Sequence, residues 1–250
     1  MSGAGDERLA DGALRVDVDD RPCPYLPGRI ERDETWIVPH LDPAAYRVLL
    51  DRNYRRSGHV VYRPRCPSCT ECRQIRVPVR SFSPSRSQRR TLRRNADLVS
   101  VLAPPSLSDE KVDLYGRYVR ARHPGSGQGD DAATLEEFLH RGCLPGLEIE
   151  SRDPGGRLLC VSHVDPVGDA WSSVYCYFDP SLPRRSLGTW SVLSELRACR
   201  ALGVEWYYLG YFVEGARTMS YKARFLPCEV RVGGAWVRRD SLNRGGGASR

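Results

Sequence analysis

Three cysteines at two-residue intervals, Cys66, Cys69 and Cys72 in CPSCTEC, constrain this chain more than any other feature in it. Thiols so close in sequence turn the backbone around one centre. A fourth, Cys23 in PCPYL, stands upstream and would complete a set of four. Four thiolates suit a tetrahedral zinc ion or an iron–sulfur cluster. Left without a ligand, three neighbouring thiols are open to oxidation. The other five cysteines, Cys143, Cys160, Cys176, Cys199 and Cys228, stand singly and read as small core residues.

The compartment decides whether nine cysteines mean disulfides. The first twenty residues hold Asp6, Glu7, Asp11, Asp17, Asp19 and Asp20, which fits neither a basic secretory leader nor an Arg-rich transit peptide. No run of 18 uncharged apolar residues occurs, so no membrane-spanning helix is expected. A bacterial-type cytoplasmic chain follows, with reduced thiols and no membrane partner.

The net charge of +7 is concentrated in one stretch. Residues 55–94 carry 12 arginines against one acid, Glu71, while residues 95–250 carry 19 charges of each sign. Arginine's planar fork suits phosphates and carboxylates, so this stretch predicts a polyanionic partner, nucleic acid above all. Within it Arg86, Arg89, Arg90, Arg93 and Arg94 in SRSQRRTLRRN predict an exposed basic helix able to bind nucleic-acid phosphates. A merely solvated face is the simpler alternative.

Local signals predict two halves. Asp42 followed by Pro43 opens a helix running to about Asn53. Residues 59–64 and 75–79 read as strands flanking the cysteines, and Ala103-Pro104-Pro105 as the boundary between halves. Beyond it, Ser108 caps a helix with Val112, Tyr115 and Val119 on one face. Thr134 and Glu137 read as a capping box for a second helix. Strands are expected at 147–151, 158–164, 171–178 and 205–210. A helix from about Thr189 to Leu202 ends at Gly203, and a hairpin turns at Gly233-Gly234.

The expected fold class is α+β: an N-terminal cysteine-containing module (22–104) followed by a GNAT-like acyltransferase domain (105–239) with an antiparallel-rich mixed sheet. Flexible tails are expected at 1–21 and 240–250. Many such acyltransferases grip acyl-CoA with a Gly-rich loop before the crossover helix. Here that loop reads RSLGTW, residues 185–190, and Trp190 is expected to crowd a pyrophosphate. A CoA-dependent N-acetyltransferase is thereby disfavoured, and a non-enzymatic RNA-binding zinc protein would not need the second half.

Several blocks carry a resemblance: CPYLPGR (23–29), YRRSGHVVYRPRCPSCTECRQIRVPV (54–79), SRSQRR (85–90), SLGTWSVL (186–193), YYLGY (207–211) and MSYKARFLP (219–227). Over about residues 22–238 the chain resembles the bacterial aspartate/glutamate leucyltransferases, relatives of the arginyl-tRNA–protein transferases. The resemblance implies transfer of leucine from leucyl-tRNA to an N-terminal Asp or Glu of a protein, marking it for degradation. Leu26 stands where eukaryotic relatives have the second cysteine of a C-x-x-C pair.

The chemistry needs no cofactor, since the donor ester is already activated and the acceptor α-amine titrates near 7.7–8.0. Positioning and oxyanion stabilisation suffice in principle. Lys222, Tyr207 and Tyr211 are the expected catalytic residues. Tyr25, Arg29, Arg55, Arg56 and Arg63 are expected around the acceptor's carboxylate, with Arg224 in reserve beside Lys222. The cysteine cluster (Cys23, Cys66, Cys69, Cys72) is the expected metal site. A Cys160 or Cys176 pair with His163, and His123 as a base, are weaker readings than core packing.

Overall fold

The computed structural model describes residues 9–125 and 127–241. Its first part is a short antiparallel sheet. In it β1 (Leu14–Val16), β4 (Asp33–Ile37), β6 (Val60–Pro64) and β5 (Arg55–Ser57) lie in that order, with β2 (Arg21–Pro22) and β3 (Ile30–Glu31) paired separately. Helix α1 (Pro43–Asp51) covers it. Asp42 accepts from the amides of Ala44 and Ala45 and Pro43 opens the first turn, as the sequence predicts. Tyr46 and Leu50 of α1 pack on Trp36 and Val61.

The second sheet has eight strands in the order β14-β13-β7-β12-β11-β10-β9-β8. The members are β7 (Arg73–Pro78), β8 (Val99–Ala103), β9 (Leu147–Arg152), β10 (Leu158–Val167), β11 (Ala170–Phe178), β12 (Trp206–Phe212), β13 (Cys228–Val232) and β14 (Ala235–Arg239). Every pairing is antiparallel except β11 with β12. Helix α3 (Asp109–Arg122), capped by Ser108, packs Tyr115 and Val119 against Val161 and Tyr177. The crossover helix α5 (Leu187–Ala201) packs Leu196 with Ile149 and Tyr207 in the largest apolar cluster. Gly203 follows α5 with φ +74°, a left-handed stop.

Several boundaries differ from expectation. The division at residue 104 is crossed by the core, because β7 from the first half lies between β12 and β13 of the large sheet. Tyr208, Val167 and Ala170 also join the small sheet's cluster. Residues 9–21 are not simply a tail: β1 pairs with β4, and Asp20 accepts from Arg32 Nε at 2.7 Å. Residues 1–8 and 242–250 lie outside the described residues, so the tail expected at 240–250 is described only at Asp240 and Ser241.

The second helix of the second half starts earlier than Thr134. Asp131 is its cap, accepting from the Thr134 amide at 2.8 Å, because its carboxylate stands one position ahead of the helix (α4, Ala132–Leu135). A π-helical turn, Glu136–His140, continues it. The basic helix α2 (Arg86–Arg94) is not wholly exposed. Ser85 and Gln88 form a capping box, and Gln88 and Thr91 are buried against the body of the protein.

Candidate functional site

Strands β11 and β12 run parallel for only three residues, Ala170 to Ser172 beside Trp206 to Tyr208. Beyond that point they separate, and a cavity of about 630 Å³ opens in the gap. Gly210 makes the divergence workable: it has φ +85°, follows a register shift in β12, and a Cβ there would lie 3.4 Å from the Arg55 guanidinium. Arg55 fills the fork between the strands. It donates from Nη1 to Ser172 Oγ at 2.8 Å and from Nη2 to the Ser173 carbonyl.

Lys222 enters the same cavity from the turn Tyr221–Arg224. Its Nζ donates to the Tyr211 carbonyl at 2.8 Å. Burial, reinforced by the positive charge of Arg55, pulls its pKa down to about 7. Neither cation meets a carboxylate among the described residues, and no Asp or Glu among them lines the cavity. The wall also carries aromatic and aliphatic side chains: Tyr118, Phe138, Val174, Tyr175 and Phe178, with Phe138 and Tyr175 edge to face at 5.0 Å. The cavity lining therefore combines two cations that lack an acid with a group of aromatic and aliphatic side chains.

The other expected acceptor residues divide. Tyr25 lines the cavity. Arg56 also reaches it, but its fork is taken: Nε donates to Asp165 Oδ2 at 2.7 Å and Nη2 to Oδ1, both partners buried. Arg56 is thus part of the framework rather than a free reader of carboxylates. Arg63 is likewise committed, donating to Glu34 at 2.8 and 3.1 Å over the Tyr54 ring, and these bonds help hold Glu34 down to about 2. Arg29 lies in the cysteine cavity, bonded to the Ser68 carbonyl at 2.8 Å. Arg224 faces a different cavity altogether.

Of the two tyrosines, Tyr211 lines the cavity and anchors Lys222 through its backbone. Its hydroxyl donates to the Asn53 carbonyl at 2.9 Å. Tyr207 does not line it. It is fully buried and donates to Glu195, an acid in the interior of α5 that burial pushes up to about 7. Sequence reasoning missed Glu195 and Ser191, which donates to Glu195 Oε1 at 2.8 Å and lines the cavity. An acid four residues after a serine in a helix was the available signal.

Trp190 overturns an expectation. It is buried, donates from Nε1 to Ser151 Oγ at 3.0 Å and packs on Leu98, Leu159 and Leu187. The indole points into the core, so it does not crowd the mouth of the helix and gives no reason to exclude a pyrophosphate. Gly188, two residues earlier, is the close approach, since a Cβ there would lie 3.2 Å from the Phe178 ring.

His163 pairs with no thiol. It stacks on Tyr177 and lies beside His140, and its Nε2 is 4.0 Å from Glu148. Burial lowers its pKa well below the usual imidazole range. Cys160, Cys143, Cys199 and Cys228 are buried, whereas Cys176 lines the cavity. His123 lines it too, but its Nε2 is enclosed and unpartnered, which does not suit a base.

Cys23, Cys66, Cys69 and Cys72 all line one cavity of about 650 Å³, which Tyr25 shares with the cleft. Sulfurs around one zinc at about 2.3 Å stand about 3.8 Å apart. Among the described residues, the His140, Glu148 and His163 atoms are the only group of three ligand atoms lying within 4.8 Å of one another. No three of the four sulfurs lie that close together. Burial and neighbouring thiols push Cys72 up to about 12, so a metal there would displace a tightly held proton.

The basic helix splits its arginines. Arg90 and Arg94 face a second cavity of about 290 Å³ with Arg224, whereas Arg86, Arg89 and Arg93 do not line it and are exposed. Among the described residues, no helix is long and apolar enough to cross a membrane.

Two family models match the chain. The arginine-tRNA–protein transferase N-terminus model matches residues 21–90 and the C-terminus model residues 110–232. The aspartate/glutamate leucyltransferase of Gluconacetobacter diazotrophicus is 41% identical over 225 residues, covering 88% of this chain and 85% of its own. That of Alkalilimnicola ehrlichii is 42% identical over 219 residues, covering 86% and 91%. Among solved structures, L-PGS from Bacillus licheniformis aligns at TM-score 0.45 and 10% identity over 67% of this chain and 50% of its own. With relatives this similar along nearly its whole length, the chain belongs to the arginine-tRNA–protein transferase family, among the aspartate/glutamate leucyltransferases.

Proposed function

We propose that this protein moves leucine from leucyl-tRNA onto the N-terminal Asp or Glu of a protein, marking that protein for degradation. The observation that carries the reading is a cavity lined both by cations without an acid and by apolar side chains. A leucyl side chain suits the wall of Tyr118, Phe138, Val174 and Tyr175. An arginyl side chain would meet no carboxylate there and would face two cations. The acceptor's carboxylate, in contrast, suits the Arg55 guanidinium, which is buried and has no acid of its own.

In the reaction the neutral α-amine attacks the ester carbonyl carbon, a C–N bond forms, and the bond to the ribose oxygen breaks. One proton leaves the amine and one must reach the departing ribose oxygen. Lys222, poised near pH 7, is the group that accepts the first and delivers the second. As an ammonium it also stabilises the oxyanion that forms between these steps. No step uses a cofactor. If a metal or cluster is bound, Cys23, Cys66, Cys69 and Cys72 would hold it, and its contribution is to brace the loop beside Tyr25.

The test offers the purified protein leucyl-tRNA, arginyl-tRNA or acetyl-CoA together with peptides beginning with Asp, Asn or Ala. Leucyl transfer to the Asp peptide should exceed arginyl transfer by at least about a hundredfold, the scale set by leaving a charge unpaired in a buried site. Equal use of arginyl-tRNA would contradict the reading.

A further inference from the structure

The second cavity lies between α2 and the start of α5, and Tyr221 lines both it and the main cleft. Its wall carries Arg90 and Arg94 from one face of α2, Arg224 from the turn that holds Lys222, and Ser186 and Thr189 from the first turn of α5. No carboxylate lines it, and Arg90 and Arg224 are exposed with no acidic partner among the described residues. Arg94 donates to the Arg184 carbonyl. The nearby acid Asp97 is already held by Arg185 at 2.8 and 3.0 Å. Ser186 places no side-chain bond on the first turn of α5, a 15-residue helix whose positive end thus remains open to an anion.

We propose that this cavity binds phosphodiesters of the unpaired 3′ end of the donor RNA. This proposal rests on the aminoacyl-RNA reading above. About 290 Å³ admits the phosphate and ribose of a single strand but no double helix. Three cations converging from two elements, α2 and the turn that holds Lys222, fix a strand's direction, which scattered surface arginines do not. A strand held there has its terminal ribose beside Tyr221, at the edge of the cavity that holds Lys222. The arginines of α2 thereby divide: Arg90 and Arg94 hold the single strand, and Arg86, Arg89 and Arg93 are left for the duplex stem.

Three donors separate these roles: leucyl-tRNA, a leucyl-CCA trinucleotide, and leucyl-adenosine, which has no phosphate. The double variant Arg90→Glu/Arg224→Glu changes exposed side chains, and its thermal unfolding should match wild type. Its kcat/KM should fall about tenfold per arginine on leucyl-tRNA and leucyl-CCA. On leucyl-adenosine it should equal wild type. The salt dependence on leucyl-CCA should flatten by about 0.7 in log–log slope for each phosphate that is no longer neutralised. The site assignment is overturned if the variant keeps wild-type activity on leucyl-CCA, or if it loses activity equally on leucyl-adenosine. If wild type uses none of the three donors, the functional reading itself has failed. Binding of uncharged CCA trinucleotide, weakened in the variant or not, then decides the cavity on its own.

Discussion

Arg55 and Arg56 are neighbours on one short strand, and their fates are opposite. Arg56 is locked bidentately onto buried Asp165, whereas Arg55 enters the splay of the large sheet with only neutral oxygens for company. The two lysines repeat the contrast. Lys111 is buried against Glu148 and Glu150, and Lys222 is buried with a carbonyl and a thioether. A buried cation with its acid holds a fold together. One without an acid costs stability, and the cavity it faces is where the missing anion is expected.

The contrast breaks most visibly at the paired residues. Arg56→Ala leaves Asp165 buried and alone, and should lower the unfolding free energy by roughly 3–5 kcal/mol. Arg55→Met should cost at most about 1 kcal/mol, because the lost bonds to Ser172 and Ser173 are offset by removal of a buried charge that has no acid, while transfer to acidic peptides falls steeply. Urea unfolding of both variants measures the gap. Similar losses would erase the distinction between framework and site.

The lysines sharpen it by sign. Lys111→Met strands Glu148 and should destabilise the protein by about 3 kcal/mol. Lys222→Met removes an uncompensated buried amine and should stabilise it by roughly 1–3 kcal/mol at pH 7, at the expense of transfer activity. The pH dependence follows from the direction of the shift. The folded pKa of Lys222 is about 7 and its ordinary value is 10.5, so between these the unfolded chain binds more protons. Its contribution therefore raises stability as pH climbs from about 7 to 10.5, and is flat below 7. Chemical denaturation across that range should show this rise in wild type and its absence in Lys222→Met.

A smaller effect tests the corrected place of Trp190. Trp190→Phe removes the bond to Ser151 and should cost about 1 kcal/mol while leaving the kinetics of transfer unchanged. A changed KM for the donor would return the indole to the mouth of the helix.

Much of this arrangement is legible in the sequence wherever the signal is local. Asp42 with Pro43, Ser108, and Gly203 mark helix ends by backbone chemistry that needs only neighbours, and all three stand where they are expected. The periodicity of Val112, Tyr115 and Val119 likewise reports a helix face. What depends on distant partners is not legible. Residues 75–79 read as a strand, but nothing local shows that β7 is inserted between β12 and β13. Trp190 looked like an obstruction because its rotation about the α5 axis is set by Ser151 on another strand. Arg55 and Arg56 have the same chemistry and adjacent numbers, and only the acid at position 165 separates their roles. Tyr207 and Tyr211 bracket Gly210 in the sequence, yet the bulge at Gly210 sends one to Glu195 and the other to the cavity.

The central claim is that the unpaired Arg55 guanidinium reads the acidic side chain of the acceptor. Its most direct measurement is the ratio of kcat/KM for Asp- over Asn-initiated peptides, taken with leucyl-tRNA as donor, in wild type and Arg55→Met. Losing one partner of a buried charged pair costs roughly 2–5 kcal/mol, so the ratio should fall by about thirtyfold or more. Hydrolysis of leucyl-tRNA without peptide should stay the same. An Asp-over-Asn preference undiminished in Arg55→Met would contradict the claim.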